Sequence, residues 1–429
     1  MALDKVTTKV IADDAVTGAK IENNPTVAGN LTVAGNTTLS GTSTLTGNAT
    51  ASGNLTVTGD IVPSTPFSHR NMVINGGMQV WQRGTALADA GNGTFKADRW
   101  KNGHDISGTI QNASETLSNA DFNTTGHKTA LVVSCSGTDT SVAAGHQVVI
   151  AQWIEAQNVQ HLQYGTANAQ DLVVSFWAKA DSAATYAVSL TKPDNTAYAI
   201  AKEFTVSTSW QKFTITFGSS DTNWATTIET AGGLIDNNND TGLVLGFTLA
   251  CGSTFQLTNG SWTSTVFTSG YGTSNVANFA DATSRKFHLT GVQLELGSSA
   301  TPFEHRSYSD ELKRCHRYYF AQTDGGTDKI IGKGAFNSSG QMEATVFFKE
   351  VMRVPPSLVF ASGSDYYRLH TNGSTIDIDD FNIHAKNLLT DGGCTAVSLY
   401  KGGLSSVAGN GVNFVVNNNS GYCHFNSEL

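Results

Sequence analysis

Charged residues are scarce in this chain of 429 residues: only 14% are Asp, Glu, Lys or Arg, and the formal net charge is −9. A general nucleic-acid binder needs a basic face to displace counterions, so this balance argues against that class of partner. We therefore expect partners with neutral or polar surfaces. No apolar run approaches the roughly 20 residues that a membrane-spanning helix needs, so we expect no membrane insertion.

Cysteine is rare in this chain, and its positions match no disulfide or zinc-binding pattern. The five cysteines are odd in number and widely spaced, with no CxxC pair: Cys135, Cys251, Cys315, Cys394 and Cys423. This pattern predicts neither a disulfide scaffold nor a zinc site. The first residues, MALDKVTTKVIADDAV, carry charges where a signal peptide needs an apolar core, so we expect no secretion signal and synthesis in a reducing cytoplasm. The thiols are then best interpreted as small buried hydrophobic groups.

Aromatic residues are absent from residues 1–66 and divide the remainder of the chain. All tryptophans lie between positions 81 and 262: Trp81, Trp100, Trp153, Trp177, Trp210, Trp224 and Trp262. After about residue 307 the chain has Tyr and Phe but no Trp. Shifts in composition of this kind mark domain boundaries.

The stretch TVAGNLTVAGNTTLSGTSTLTGNATASGNLTVTG, residues 26–59, repeats every six residues. The third position of each hexad is apolar and a glycine follows two positions later, which predicts short strands that turn at glycine corners. A single-chain coil uses about three hexads, so six hexads give only two coils and bury little apolar surface. Three copies around one axis would bury the apolar positions, and we therefore predict a homotrimeric β-shaft. The alternative is a disordered Thr/Gly linker.

The middle of the chain predicts strands, in keeping with its abundance of Gly, Thr, Ser and Asn. In DLVVSFWAKA, Leu172, Val174 and Phe176 fall at every second position and so share one face of a strand. In GLVLGFTLACG, positions 243, 245, 247, 249 and 251 likewise share one face. In RKFHLTGVQLELG the apolar parity switches across Thr290–Gly291, which predicts a β-bulge. About 240 residues of such strands favour a jelly-roll sandwich.

The segment SYSDELKRCHRYY, residues 307–319, changes to a helical period. Ser309 is a candidate cap, and Leu312, Cys315 and Tyr319 would share one stripe of the helix. Strand patterns then return in EATVFFKEV, PSLVFAS, TAVSLY and GVNFVVN, between NGS, DGG and GNG turns. They predict a second β-sandwich of about 110 residues.

Several motifs resemble a known family, the bacteriophage tail fibres or receptor-binding proteins. NMVINGGMQVWQRG, residues 71–84, resembles the opening strand of a domain common in these fibres, and GVQLELGSSATPFEHRSYSDELKRCHRYY, residues 291–319, is similar to the strand and helix that close it. SFWAKADSAATYAVSL and STSWQKFTITF resemble the jelly rolls of carbohydrate-binding modules. DKVTTKVIADDAVTGAKI followed by LTVxGN repeats also looks like a phage fibre beginning.

The resemblance implies a trimeric fibre of the virion that recognises a host surface glycan, such as lipopolysaccharide or capsule, or an outer-membrane protein. It implies that the N-terminus docks to a phage tail or baseplate protein, and it supplies no catalytic residues. The predicted fold is all-β. The predicted parts are a virion-docking N-terminus (1–25), the trimeric hexad-repeat β-shaft (26–66), a jelly-roll carbohydrate-binding-like domain (67–306), a short helical linker (307–320) and a C-terminal β-sandwich tip (321–429).

Two tryptophans are the preferred sugar platforms, because a flat indole stacks on a pyranose ring. Five tryptophans are candidates for this role: Trp153, Trp177, Trp210, Trp224 and Trp262. For each of them, a buried position in the hydrophobic core is the alternative interpretation. Trp177 lies on the strand face opposite the clearly apolar one. Trp224 lies in the polar stretch SSDTNWATT.

The stretch SDYYRLH, residues 364–370, concentrates residue types that anchor recognition surfaces, namely Tyr366, Tyr367 and Arg368. The same residue types favour subunit interfaces, so these three residues could equally line a trimer contact.

Metal and catalytic constellations are weak. Asp377 with Asp379, and Asp236 with Asp240, could hold Ca²⁺, but solvated turns are the better interpretation. Cys315–His316 and Cys423–His424 point their two side chains apart on a helix or a strand, so neither dipeptide is a ready metal clamp. We predict no cofactor, no metal and no catalytic residue. The rival functions are an enzymatic tail spike, which needs two carboxylates across a scissile bond, and a bacterial extracellular carbohydrate-binding protein, which the missing signal disfavours.

Overall fold

The computed structural model describes residues 68–86, 88–89, 91–265, 270–337, 340–405 and 408–429, together with residues 33, 36–38 and 50. The docking segment predicted over residues 1–25 and nearly all of the predicted hexad shaft lie outside the described residues. The residues from 68 onward belong to one unit, Pro63–Leu429.

Thirteen strands build a first sandwich. In chain order they are β1 (Ala88–Asp89), β2 (Thr94–Phe95), β3 (Lys101–His104), β4 (Thr109–Thr116), β5 (Thr129–Gly137), β6 (Gln147–Glu155), β7 (Leu172–Ala180), β8 (Ala184–Lys192), β9 (Tyr198–Val206), β10 (Gln211–Phe217), β11 (Thr241–Cys251), β12 (Thr263–Ser264) and β13 (Lys286–Leu296). One sheet has the order β1-β4-β5-β13-β7-β10 and the other β12-β9-β8-β11-β6-β3-β2. Because the chain repeatedly crosses between the sheets, the predicted jelly-roll-like all-β sandwich is confirmed.

The core between these sheets follows the predicted alternation. Leu172, Val174 and Phe176 of β7 point into it and are fully buried. In β11 the predicted shared face of positions 243 to 251 does not extend to Cys251, because the register with β6 shifts between Thr248 and Ala250. Ala250 therefore joins the core, whereas Cys251 packs beside a separate cluster.

The β-bulge predicted in β13 is confirmed. The register with β7 shifts between Thr290 and Gln293, and Gly291 has a φ of 62°. A Cβ atom at position 291 would lie 2.5 Å from Nε2 of His127, so the bulge needs glycine for both conformation and space.

The motif NMVINGGMQVWQRG is not a strand but an irregular segment, which corrects the prediction. Its centre is Asn75, which is fully buried with a φ of 58°. The Asn75 side-chain amide donates to the carbonyls of Val80 (2.9 Å) and Asp98 (3.0 Å), and its oxygen accepts from the backbone N–H groups of Gln79 and Val80. These bonds replace the ladder that a strand would form.

Three α-helices are present among the described residues: α1 (Asn119–Thr125), α2 (Trp224–Thr227) and α3 (Tyr308–His316). The predicted helix is thus confirmed as α3, but its cap is Ser307, whose Oγ accepts from the N–H of Asp310, and not Ser309. The predicted stripe is also wrong, because the helix ends before Tyr319, which begins a strand. No described helix is both long and apolar enough to cross a membrane.

Ten strands form a second sandwich, here called the tip sandwich: β14 (Tyr319–Asp324), β15 (Ile330–Phe336), β16 (Met342–Met352), β17 (Ser357–Phe360), β18 (Tyr367–Thr371), β19 (Ser374–Ile378), β20 (Asn382–Leu388), β21 (Cys394–Lys401), β22 (Gly411–Val416) and β23 (Tyr422–Asn426). A seven-stranded sheet, β19-β18-β22-β15-β16-β21-β20, faces a three-stranded sheet, β14-β23-β17. A second hydrophobic core lies between them.

Candidate functional site

Trp177 lies on the outer face of the first sandwich, as its parity on β7 predicts. It is half-buried and packs beside Trp210, Leu117 and Ala130 in a small cluster separate from the main core. The ammonium group of Lys179, two residues along β7, lies 5.1 Å from the ring centre of Trp210. Trp177 is therefore the one predicted tryptophan platform that reaches the surface.

Trp224 is a core residue, which corrects its prediction as an exposed platform. It is only 2% exposed, and its ring packs edge-on against Tyr164 at 5.5 Å and against Trp262 at 6.1 Å. Its Nε1–H donates to Glu229 at 2.9 Å. With both ring faces covered by protein, no face is left for a sugar in this conformation.

Tyr366, Tyr367 and Arg368 do not form one surface, because β18 alternates. Tyr367 is 0% exposed and lies in the tip core, where its hydroxyl donates to the carbonyls of Ala361 and Tyr422, so it is corrected to a core residue. Tyr366 is half-buried just before the strand. Arg368 points outward and is paired with Asp377 through two hydrogen bonds of 2.5 and 2.9 Å. The predicted site residues therefore lie in separate places.

Asp377, Asp379, Cys423 and His424 each have other partners or surroundings in the structure. Asp377 is held by Arg368, while Asp379 accepts the backbone N–H of Asp365 at 2.7 Å. Cys423 lies in the tip core and His424 on the opposite face of β23, as the strand argument predicts. Within the described part of the chain, no group of three or more His, Cys, Asp and Glu residues is arranged to hold a metal ion.

A cleft of about 670 Å³ lies where the first sandwich meets the three-stranded sheet of the tip, and we call it the aromatic cleft. One wall comes from residues 82–84 and 93–96, and the other from β14, β17 and β23. The rings that line it belong to Phe95, Tyr319 and Tyr422. Its other lining residues are Gln82, Arg83, Gly84, Gly93, Thr94, Lys96, Asp324, Val359, His424 and Asn426.

Strand alternation in β23 creates the tip wall of the cleft. Cys423 and Phe425 point into the tip core, so Tyr422, His424 and Asn426 point to the opposite face. The small three-stranded sheet thus has one face on its own core and the other on the cleft. Antiparallel sheets commonly pack one face on a core and leave the other to solvent, as this sheet does at the cleft.

Arg83 forms the floor of the cleft. Its guanidinium lies 3.4 Å from the ring centre of Tyr319 and 5.1 Å from that of Phe95, which is a cation–π arrangement. Its charge is balanced by Asp98 at 3.5 Å and Glu428 at 3.1 Å. Burial raises the pKa of Asp98 to about 6, and the Arg83 charge opposes this rise.

His424 is buried at the side of the cleft. Its Nδ1 is 2.5 Å from the hydroxyl of Tyr319, and its ring lies 4.8 Å from that of Tyr422. Burial lowers the pKa of His424, and the charge of Asp324 and the backbone of Thr323 oppose this decrease. Its Nε2 makes no hydrogen bond among the described residues, and the nearest carboxylate oxygen, on Asp324, is 4.0 Å away.

The two walls are fixed to each other by the last residues of the sequence. Glu428 pairs with Arg99 and with Arg83 on the first sandwich. Arg353 of the tip donates to the carbonyls of Ser427 (2.9 Å), Glu428 (3.0 Å) and Asn239 (3.0 Å). Because these groups are buried and paired, the cleft is preformed.

The chemistry of the cleft fits a polyhydroxylated ligand. The half-buried rings of Phe95 and Tyr422 offer apolar faces, and Lys96 and the side-chain NH2 group of Asn426 offer hydrogen bonds. Lys96 has no ion-pair partner among the residues described. Asp324 is the only carboxylate among the lining residues.

Sequence reasoning missed this site for an identifiable reason. The alternation in YCHFN, with Cys423 and Phe425 on one face and Tyr422 and His424 on the other, was available as a signal. The opposite wall, which includes the two-residue strand β2, lies more than 220 positions earlier, by the numbering of Lys96 and Tyr319. No local pattern links two segments that far apart.

Comparison with known proteins gives structural neighbours only. No protein family matches the sequence, and no curated protein is similar to it. A family 4 carbohydrate-binding module is 15% identical, with 52% of this chain and 98% of that one covered and a TM-score of 0.25. The enzymatically active domain of tailspike protein 4 from bacteriophage CBA120 is 13% identical, with 53% and 21% covered and a TM-score of 0.25. The family 11 module of a Clostridium thermocellum cellulase is 10% identical, with 51% and 98% covered and a TM-score of 0.25. At these TM-scores the likenesses carry no argument about function, and the all-β sandwich rests on the sheet topology.

Proposed function

We propose that this chain is a phage tail fibre that attaches the virion to a host cell surface by holding a glycan in the aromatic cleft. The observation that carries the proposal is the cleft itself, where the rings of Phe95 and Tyr422 stand beside Lys96 and Asn426 in a preformed groove. Ring faces for stacking together with several hydrogen-bonding groups are what a pyranose requires. The fibre-like motifs of the sequence support the role on the virion.

The proposed attachment involves no catalysis. Hydrolysis of a glycosidic bond uses two carboxyl groups placed about 5–9.5 Å apart on either side of the bond. The cleft has one carboxylate among its lining residues, Asp324, whose side chain is 77% exposed. This arrangement supports binding over cleavage.

The remaining parts of the proposal concern assembly. The hexad repeat joins three chains, and the N-terminal residues dock to a phage tail or baseplate protein. The host ligand is lipopolysaccharide or capsule, with an outer-membrane protein as the alternative receptor. In this arrangement three copies of the cleft face one cell surface, and weak single-site binding is strengthened by multivalency.

The test is a glycan array combined with binding to whole host cells. Tyr422→Ala removes an aromatic face of the cleft and should weaken glycan binding about tenfold with little loss of stability, because the ring is half-buried. Tyr308→Ala is the matched control, since Tyr308 is 56% exposed on α3 and does not line the cleft. Equal binding by both variants would remove the cleft from the proposal.

The same samples distinguish the enzymatic tail spike. Bound polysaccharide is incubated with the protein and its chain length is followed over time. A constant length is expected of an adhesin, whereas time-dependent shortening would replace attachment with degradation as the function.

A further inference from the structure

The outer face of the seven-stranded tip sheet, here called the open face, carries an exposed aromatic ring and a row of polar side chains. We propose that this face is a second saccharide-binding surface, which takes an extended polysaccharide chain across the strands. The inference rests on the proposed attachment to glycans, but it concerns residues that the aromatic cleft does not include. Its members are Phe347, Thr345, Lys333, Asn413, His370 and Thr375.

Phe347 is the clearest anomaly on the described surface. It is 74% exposed, more than any other large hydrophobic side chain described. It lies on β16 in register with Ala396 of β21, which in turn faces Asn387 of β20. Val346 and Phe348 on either side of it point into or against the tip core. Strand parity therefore holds the ring outward on the open face.

A single rung of polar residues crosses five strands beside Phe347. Thr375 of β19 pairs with His370 of β18, His370 with Asn413 of β22, Asn413 with Lys333 of β15, and Lys333 with Thr345 of β16. Neighbouring strands are about 4.8 Å apart, so the row is about 19 Å long. Thr345 is two residues from Phe347 on the same strand and hence on the same face.

Four residues of the row, Thr375, His370, Asn413 and Lys333, line two shallow depressions. Two adjoining depressions of about 440 and 340 Å³ share His370, Asn372 and Asn413. The side chains of Lys333, Asn372, Asn413 and Thr375 have no hydrogen-bond or ion-pair partner in the described part of the chain. At the centre of the row, Nε2 of His370 lies 3.4 Å from a carboxylate oxygen of Asp328.

The chemistry of the face selects a saccharide over a protein surface. The neighbours of Phe347 along and across the strands, Thr345, Ala396 and Asn387, add little apolar surface to its ring, so it does not extend into a large apolar patch. A sugar chain presents an apolar ring face with hydroxyl groups around it, which matches one aromatic ring beside alternating amide, hydroxyl, imidazole and ammonium groups. Lys333 adds an unpaired positive charge that favours acidic sugars.

The experiment uses the full chain and a panel of immobilised bacterial lipopolysaccharides and capsular polysaccharides. Phe347→Ala, and separately the double variant Lys333→Ala/Asn413→Ala, should each weaken binding to long polysaccharide about tenfold. Phe347→Tyr should retain binding, because it keeps the ring. The matched control is Leu389→Ala, since Leu389 is 44% exposed on the same sandwich outside the row. Unfolding midpoints should stay unchanged in all of them.

Three results would overturn the inference. Unchanged polysaccharide binding by the open-face variants, with binding lost in Tyr422→Ala, would leave the cleft as the site and remove the open face. A change in the oligomeric mass of Phe347→Ala would instead make this face a contact between copies of the chain. Failure of the unaltered chain to bind any polysaccharide of the panel would overturn both this inference and the proposed function.

Discussion

Glu155 accepts two hydrogen bonds from the guanidinium of Arg317, each 2.7 Å long, and this pair joins the first sandwich to the residue that follows α3. Glu155 is 0% exposed and also accepts from the hydroxyl of Tyr318 at 2.5 Å. Burial acts to raise its pKa, but the bonds from Arg317 and Tyr318 outweigh it and lower the pKa. The orientation of the tip, and with it the aromatic cleft, depends on this buried pair.

Breaking this pair should destabilise the protein strongly. Glu155→Ala leaves the partly buried Arg317 charge and the Tyr318 hydroxyl without their partner. Because the Arg317 side chain is 25% exposed, we expect a loss at or below the lower end of the roughly 3–5 kcal/mol that breaking a buried pair costs. Urea unfolding measures the loss. The double variant Glu155→Leu/Arg317→Leu should recover part of it, because an unpaired charge is worse than an apolar pair. Asp377→Asn, which breaks the exposed pair with Arg368, is the control and should leave the midpoint nearly unchanged.

Asn75→Ala should be among the most damaging single changes outside the hydrophobic core. It removes four hydrogen bonds of the side chain and places alanine at a φ of 58°, where asparagine is better tolerated. We expect a loss of about 3 kcal/mol or more in the free energy of unfolding. A loss below 1 kcal/mol, measured by chemical denaturation, would contradict the hub role of this residue.

Stability should fall as the pH drops from 6.5 to 4, partly through His127. This residue is 4% exposed, and its ring lies 4.6 Å from that of Phe303 and 5.4 Å from that of His305. Burial, with a smaller effect of the His305 charge, lowers its pKa from 6.5 to about 4. Between these values the unfolded chain binds the proton and the folded chain does not, so up to about 3 kcal/mol is lost on acidification.

Thermal unfolding of the unaltered protein and of His127→Gln over this pH range isolates the contribution of His127 to stability. The raised pKa of Asp98 changes stability with pH in the opposite direction, but it does so equally in both proteins. The variant should show a flatter stability profile between pH 6.5 and 4. Identical slopes for both proteins would mean that His127 is already accessible to protons in the native state.

The full chain should be a trimer in solution. Six hexads bury too little apolar surface in one copy, whereas three copies cover the apolar positions of one another. Light scattering should give three times the chain mass of 45.3 kDa. Replacing Val27, Val33 and Leu39 by Asp should reduce the mass to that of one chain, and a monomer in the unaltered protein would refute the shaft.

Local patterns predicted the elements of the fold well where neighbours in sequence are also neighbours in space. The period-two alternation located β7 and the outward position of Trp177, and the parity switch located the bulge at Gly291. The pattern failed in β11, where a register shift against β6 that depends on the partner strand turned Cys251 away from the core. It failed again at α3, because the choice between Ser307 and Ser309 as cap depends on where the preceding chain enters the helix.

The predictions for the candidate site residues failed where contacts with distant segments or the alternation of a strand decided the exposure of a side chain. Polar surroundings suggested that Trp224 is exposed, but Tyr164 and Trp262 arrive from other parts of the chain and cover it. The cluster SDYYRLH suggested one surface, yet alternation on β18 separated Tyr367 from Arg368.

By itself the sequence determined the all-β class, the strand and helix positions and the parity of most faces, because these follow from residues two to four positions apart. Only the tertiary structure decided which faces are open. The aromatic cleft joins Phe95 to Tyr422, and the polar row joins Lys333 to Thr375, through strand pairing and a buried junction. Those contacts are set by packing between distant segments, and no local period encodes them.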